Sequence, residues 1–430
     1  VESPLTSANE YYLNNVVKLT HSHQVTAAED IYDSKGTKLW AKGADITPAL
    51  REKLIRHKLR KPVESALTVA DGVSMEMVLA EAQALHDELP ALRVFMGSKQ
   101  SAVFDALAQI NLHPVVVMLL TMSRQNHTDA FRHGVLAALI SASLGVHRGA
   151  SHSERMLLAL AGLLHDVGEM YINPDYVHTR RQLRPEEWKH VAVHPHIGQL
   201  ILEELTDYPK AVVTAVGEHH ERLDGSGYPR QLSGRQISPA GQILSIAEML
   251  SGIIVGKDDV LARSCLALKC VPGEHPRELV SVVSSLRSQH ADAAVSSSIA
   301  PVSNEQTVLK THGVSQAMTL ALAECDRIEP DLAASTIGKD LLQRVKKRLT
   351  ELQTAMKATG VEECLDGAQL DAANRADYEI LLELDVVGRE IGWRLRDIAR
   401  SMYLHLSELE PQAATAFSAL VELLDNPAKS

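Results

Sequence analysis

The stretch His219-His220-Glu221-Arg222-Leu223-Asp224-Gly225-Ser226-Gly227-Tyr228-Pro229 decides how the rest of this chain is read. Two adjacent histidines stand at the end of a helix-period run that begins at Ala211. Consecutive side chains on a helix point in different directions, so the pair can serve two neighbouring ions at most. Asp224 then opens a loop in which Gly225 and Gly227 permit tight turns and close approach of backbone to a ligand. Tyr228 offers a ring to stack and a hydroxyl to donate, and Pro229 stiffens the exit. A plain surface turn needs no such combination.

Further histidines and carboxylates lie on both sides of this stretch. An apolar helix, Ala161-Gly162-Leu163-Leu164, runs into the doublet His165-Asp166 and then Val167-Gly168. A carboxylate in apolar surroundings is costly without a partner, and a metal removes that cost. An Asp beside a His near a helix end can also bridge two ions; the plainer reading of the doublet is a His-Asp hydrogen bond. His194 precedes Pro195-His196-Ile197-Gly198, with a helix expected to begin at the Pro. Asp129 and His133 stand four apart and so share one helix face. Alone, that pair reads as an exposed polar face. Glu248 is a lone carboxylate inside the apolar helix Ile243 to Ile254 and needs a partner there. Mixed imidazole and carboxylate donors suit iron, manganese or zinc better than calcium or copper. Two such ions about 3.5–4 Å apart can clamp the attacking and leaving oxygens of a phosphodiester displacement.

These residues match a known pattern. The segment His133 to Gly252 resembles the HD-GYP domain, a branch of the HD phosphohydrolase superfamily. The strings that carry the likeness are Leu164-His165-Asp166-Val167-Gly168, His194-Pro195-His196-Ile197-Gly198 and the long stretch from His219 to Pro229. The resemblance implies a helical domain holding two or three divalent transition-metal ions, iron or manganese first. It implies hydrolysis of cyclic di-GMP to the linear dinucleotide or to GMP. Carried over by motif, the metal ligands are His133, His165, Asp166, His194, His219 and His220. Glu248 stands in the place of the family's last Asp, and Asp129 stands where some three-metal members hold a Glu. The implied catalytic positions are His165, Asp166 and Glu169. The implied substrate-binding positions are Asp224, Gly225, Gly227, Tyr228, Pro229 and Lys257. Three positions depart from the pattern. Glu169 replaces the Lys that usually follows His-Asp-x-Gly, Glu248 is one methylene longer than Asp, and the basic Arg-Pro-Tyr-Lys motif is absent, leaving Lys257 nearby. The alternative to an enzyme is therefore a weakened module that binds cyclic di-GMP or a signalling partner.

Composition bounds the rest. The chain has 430 residues, 45% hydrophobic and 23% charged, which favours two or three globular domains over one. Aromatics are only 4%, so the core must be mostly aliphatic, and an Ala- and Leu-rich chain leans towards helices. A mainly α fold is expected: a helical HD-type domain at 73–295, a small α+β module at 1–72 and a C-terminal helical bundle at 296–430. In the first part, Ala28 to Gly43 predicts two short strands around a turn at Asp33-Ser34-Lys35-Gly36. Thr47-Pro48 predicts a capped helix and Val63 to Val69 a further strand. Ala291 to Asn304, rich in Ala and Ser, predicts a linker. The formal charge of −11 disfavours a DNA or RNA polymer as partner. The cyclic dinucleotide is the expected substrate, with homodimerisation or signalling contacts expected through the terminal parts. Cys265, Cys270, Cys325 and Cys364 have no zinc-knuckle or disulfide spacing. No apolar run approaches the length of a membrane span, and no basic start leads into one, so a cytoplasmic location is expected.

Overall fold

The computed structural model describes residues 4–177, 179, 181–255, 259–290, 304–333, 335–361 and 375–427. The chain is mainly helical and divides into two units: Val1–Arg180 with His190–Val255, and Arg181–Lys189 with Gly256–Ser430. The expected linker falls, except for Asn304, outside the described residues.

The first unit opens with α1 (Glu10–Leu19), whose cap is the Asn9 side chain accepting from the Tyr11 and Tyr12 amides at 2.9 and 3.0 Å. Two small antiparallel ribbons follow. β1 (Val25–Ala27) pairs with β4 (Leu67–Val69), Val25 opposite Val69, and β2 (Ile31–Tyr32) pairs with β3 (Lys38–Trp40). The turn of the second ribbon forms where the sequence places it. The Asp33 carboxylate accepts from the Lys35 and Thr37 amides at 2.9 and 2.7 Å, and Gly36 takes φ +85°. α2 (Pro48–Ile55) starts at Pro48 with Thr47 as its cap. Only Leu67–Val69 of the strand expected at Val63 to Val69 is extended, because Val63–Ala66 coils into a 3-10 turn.

Helices build the remainder of this unit: α3 (Met75–Glu88), α4 (Pro90–Met96), α5 (Gln100–Ala108), α6 (Pro114–Asn126), α7 (Thr128–His147) and α8 (His152–Leu164). After a 3-10 turn at Val167–Tyr171 come α9 (Pro174–Val177), then α10 (Pro185–Val191), of which residues up to Lys189 belong to the second unit, and α11 (His194–Leu205), α12 (Lys210–Glu218) and α13 (Pro239–Ile254). α7 and α8 pack through small residues. A Cβ on Gly162 would lie 2.6 Å from the Ala138 nitrogen, and one on Gly134 would lie 3.0 Å from the Leu163 oxygen. Nearly all of α7 from Val135 to Val146 is buried, so it is the central helix of the core. The run Glu186 to Leu205, helical in period throughout, is interrupted between α10 and α11, and His194 rather than Pro195 is the first residue of α11.

The second unit contains α14 (Val260–Lys269), α15 (Arg277–Gln289), α16 (Asn304–Ile328), α17 (Thr336–Ala358) and the long helix Arg375–Leu406. Its core is a continuous apolar cluster that includes Met318, Cys325, Leu349, Ile391, Leu395 and Phe417. Arg394 is buried there and is matched by Glu274 at 2.6 Å and Glu390 at 3.0 Å, which supplies the partners a buried guanidinium requires. The Arg400 guanidinium lies 5.1 Å over the Trp188 ring. Among the described residues, no helix is long and apolar enough to cross a membrane.

Glu64 is a buried carboxyl of the N-terminal part, 2% exposed, and burial pushes it up from 4.5 to about 7 although Tyr171 donates to it at 3.1 Å. The native state therefore holds a proton that the unfolded chain releases near pH 4.5, so this group costs stability progressively as pH rises from about 4.5 to about 7. The cost approaches the order of 3 kcal/mol above pH 7. Glu64→Gln is expected to raise the melting temperature at pH 8 and to lose that advantage near pH 4.5. A variant no more stable than wild type at pH 8 would contradict this.

Candidate metal centre

α7, α8, α11, α12 and α13 direct imidazoles and carboxylates to one place. His165 and His219 follow the last residues of α8 and α12, His194 opens α11, His133 lies in the second turn of α7, and Glu248 lies in the middle of α13. Gly168 permits the approach of the turn after Asp166 to the start of α11, because a Cβ there would sit 2.1 Å from the His194 carbonyl oxygen.

The side chains form two groups that share Asp166. One is His133, His165, Asp166 and Glu248; the other is Asp166, His194, His219 and His220. The Asp166 carboxylate faces both. Its Oδ2 lies 3.0 Å from His165 Nε2 and 3.6 Å from His133 Nε2. Its Oδ1 lies 3.3 Å from His194 Nε2 and 3.5 Å from His219 Nε2. Glu248 Oε2 closes the first group at 2.8 Å from His133 Nε2 and 3.2 Å from His165 Nε2.

Three of the rings have their proton placed by the backbone. His165 Nδ1 donates to the Gly162 carbonyl at 2.8 Å, His194 Nδ1 to Val191 at 2.8 Å and His219 Nδ1 to Val216 at 2.7 Å. A carbonyl only accepts, so Nδ1 carries the hydrogen and Nε2 of the neutral ring presents a lone pair. Yet the His194 and His219 Nε2 atoms lie 3.0 Å apart, and those of His133 and His165 lie 3.2 Å apart. The lone pairs of His194 and His219, aimed at each other at that distance, need a cation or a proton between them, whereas the His133 ring has no backbone carbonyl fixing its proton and its Nε2 also meets Glu248. The spacing fits an ion: two ligands at right angles, each about 2.1 Å from a common metal, sit about 3.0 Å apart. Fixing ring orientation through the other nitrogen is also how outer contacts prepare metal ligands.

The electrostatics differ between the groups. Burial alone would lower His133 and His165, but Glu248 beside the first and Asp166 beside the second hold both above their ordinary values. Burial likewise opposes charge on Asp166 and Glu248, and the surrounding imidazoles outweigh it and keep both well below the carboxylate range. In the other group burial prevails. His219 is pushed down to about 4, and His220 well below its ordinary value with His219 and His194 adding to the effect. Those rings stay neutral, as metal ligands must. His133, Asp166 and Glu248 are partly exposed while His165, His194 and His219 are buried, so solvent reaches the centre from the carboxylate side.

Several expected residues occupy other positions. Asp129 is exposed, belongs to neither group and stays at the surface in the first turn of α7. Glu169 is also outside both groups. It lines a narrow apolar recess with Leu119, Phe131, Leu163 and Met170, where burial first, and then the charges of Asp166 and Glu248, raise its carboxyl well above the ordinary range. Asp224 is exposed and caps its own loop by accepting from the Ser226 amide at 3.0 Å. Lys257 lies outside the described residues. Gly225 takes φ +80°, and Gly227 is buried where a Cβ would meet the Glu221 Cα at 2.4 Å. Tyr228 precedes Pro229 through a cis peptide, and its ring stacks on His220 at 4.5 Å between centroids. The loop therefore supports a candidate ligand directly.

Sequence reasoning missed the residues that hold this loop. The buried Glu221 carboxylate accepts from the Arg230 and Leu232 amides at 2.8 and 2.9 Å. Glu218 accepts from the amide and hydroxyl of Ser238 at 2.8 and 2.6 Å. The available signal was two acidic residues flanking a His-His pair at the end of an apolar helix, where an unpartnered carboxylate is costly.

Residues 114–258 match the model of the HD domain family, about a third of the chain. Among curated proteins, the chain is similar to the 3'3'-cGAMP-specific phosphodiesterase 3 of Vibrio cholerae, 32% identical over 122 residues, 28% of this chain and 25% of that one. It is similar to 3'3'-cGAMP-specific phosphodiesterase 1 of the same organism, 30% identical over 143 residues, 32% and 33% of the two chains. It is similar also to a cyclic di-GMP phosphodiesterase of Thermotoga maritima, 28% identical over 164 residues, 38% and 44%. The chain spans less than half the length of each of these relatives.

Asp166→Ala removes the one side chain common to both groups and is expected to weaken binding of Mn2+ by at least about 100-fold, which equilibrium dialysis measures. Near-normal metal content would remove Asp166 from the ligand set. Tyr228→Ala releases the His220 ring and is expected to weaken binding at one of two sites by about 10-fold while leaving the other unchanged. Two unaltered affinities would show that the stack does not support the ligand.

Proposed function

We propose that the chain is a metal-dependent phosphodiesterase that hydrolyses cyclic di-GMP to the linear dinucleotide, GMP or both. The observation that carries this reading is the pair of ligand groups sharing Asp166, with the ring protons of His165, His194 and His219 committed to backbone carbonyls and the Nε2 atoms of His194 and His219 converging at 3.0 Å. The names of the similar proteins, all cyclic dinucleotide phosphodiesterases, support the substrate class.

His133, His165, Asp166 and Glu248 would hold one ion, and Asp166, His194, His219 and His220 the other. Imidazole with carboxylate donors at right-angle spacing favours six-coordinate iron or manganese over tetrahedral zinc. Such a pair of ions, when bound, supplies Lewis-acid stabilisation of charge on the phosphoryl oxygens. The chain's own residues supply fixed ring orientation, a bridging carboxylate and an opening on the side of His133, Asp166 and Glu248. The loop from Asp224 to Pro229 reaches the centre through the stack of Tyr228 on His220 and would shape the nucleotide pocket. Glu169 is assigned a catalytic position in the recess beside Asp166, where burial favours the protonated carboxyl and a proton could be passed towards a leaving oxygen. The terminal parts, 1–72 and 296–430, are assigned regulatory or dimerising roles. Buried free thiols at Cys265, Cys270 and Cys325 agree with a cytoplasmic setting.

Chain loaded with Mn2+ or Fe2+ is expected to hydrolyse cyclic di-GMP, and chelation is expected to abolish turnover. Loaded protein that binds the dinucleotide without hydrolysing it would instead establish a binding module. Glu169→Gln keeps the size of the side chain and removes its proton, so kcat is expected to fall about 100-fold at unchanged metal content. An unchanged kcat would take Glu169 out of the catalytic set, and lost metal would make it a ligand.

A further inference from the structure

The 3-10 turn Val167–Tyr171 directly follows the bridging Asp166 and is held from the far side by the N-terminal part of the chain. Asn15, buried in α1, donates through Nδ2 to the Met170 carbonyl at 3.1 Å. Asn9 uses its oxygen to cap α1 and its nitrogen to donate to the Tyr171 carbonyl, also at 3.1 Å. The Tyr12 and Tyr171 rings stack at 5.0 Å with planes 17° apart. The Tyr171 hydroxyl donates to Glu64 Oε1 at 3.1 Å. α6 joins the same arrangement, Asn126 Nδ2 donating to the Asn15 carbonyl at 3.2 Å.

Both carbonyls are thus satisfied by side chains from more than 150 positions earlier in the chain (155 for Asn15 to Met170 and 162 for Asn9 to Tyr171). A turn of 3-10 geometry has weaker internal hydrogen bonds than an α-helix and is used in short pieces, so its path depends on such outside contacts. On its other side the turn rests on α11 through Gly168, where no Cβ fits against the His194 carbonyl. It is therefore set between α1 and the first residue of α11, with one candidate ligand immediately before it and another touching it.

We propose that the N-terminal part of the chain is a clamp that positions the metal-bridging Asp166, with Asn15, Tyr171 and Glu64 as positioning residues that set the affinity of the metal centre. The inference deepens the metal-centre reading above and rests on it. It makes the N-terminal part a regulator of that site: an event that shifts α1 or Glu64 alters the turn, and through it the separation of Asp166 from the four imidazoles around it. The groups facing the Glu64 carboxyl are the Tyr171 and Tyr12 phenols. Deprotonation of Glu64 turns a neutral contact with Tyr171 into a charge-assisted one, so the clamp also senses pH.

The test uses the full chain, stripped of metal and titrated with Mn2+ alone. Tyr171→Phe removes the hydroxyl and keeps the stack on Tyr12. Asn15→Asp keeps the size and removes the donor to Met170. Each is expected to weaken Mn2+ binding about 10-fold in protein that still melts cooperatively, because supporting contacts of this kind are worth 10–100-fold in metal affinity. Tyr171→Phe should also flatten the dependence of that affinity on pH between 6 and 8. Lys61→Ala, which breaks an exposed pair with Glu29, is the control and should change nothing. Wild-type affinity in both folded variants, with lowered melting temperature alone, would overturn the clamp and leave the metal centre standing. If Asn15→Asp fails to fold, Tyr171→Phe decides. Absence of Mn2+ binding by the wild type would overturn the metal centre and the clamp together.

Discussion

One carboxylate holds this centre together. Asp166 directs one oxygen at His165 and His133 and the other at His194 and His219, and no other side chain belongs to both ligand groups. Its position requires four helices and a turn to converge within hydrogen-bonding distance. The glycines at 134, 162 and 168 are where that convergence is tightest, since a methyl group at the last two would collide with backbone. The packing of α7 on α8 and of the 3-10 turn on α11 therefore belongs to the chemistry as much as to the fold. A bare cluster of buried acceptors is costly to keep, about 1–3 kcal/mol for each unsatisfied group, and bound cations relieve that cost.

The contrast between the two groups follows from where the carboxylates lie. Glu248 and Asp166 both face the first group, and they draw protons onto His133 and His165 when no metal competes. The second group has the edge of Asp166 alone, and burial keeps the His219 and His220 rings neutral. Binding at the first group must therefore displace protons, whereas the second is ready for an ion. Two sites built from nearly the same residue types thus differ in their coupling to pH.

Much of the centre was legible in the sequence. His165-Asp166 and His219-His220 are adjacent pairs at the ends of apolar helices, and that placement marked them as candidate ligands. Glu248 was legible because a carboxylate in an apolar helix needs a partner. Asp129 was misleading: a spacing of four puts it on the face of His133, but one turn further towards an exposed helix start. Tyr228 was read as facing a ligand, and spacing could not reveal that its ring lies on His220. Helix α1 went unread although Tyr12, Leu13, Val16 and Leu19 repeat at helical intervals behind an Asn cap. Its contacts with the turn after Asp166 join segments more than 150 residues apart, and no local pattern encodes such a pairing. The division at 1–72, 73–295 and 296–430 came from shifts in periodicity and composition along the chain, whereas the two units seen here follow packing, with the first ribbons and the helices that carry the candidate ligands in one of them.

The central claim is that Asp166 bridges two ions. Electron paramagnetic resonance on the full chain loaded with Mn2+ tests it most directly, together with metal content per chain. The account predicts two ions per chain and the spectrum of an exchange-coupled pair, as expected for ions about 3.5–4 Å apart. A single ion per chain, or two ions giving the spectrum of isolated Mn2+, would contradict it.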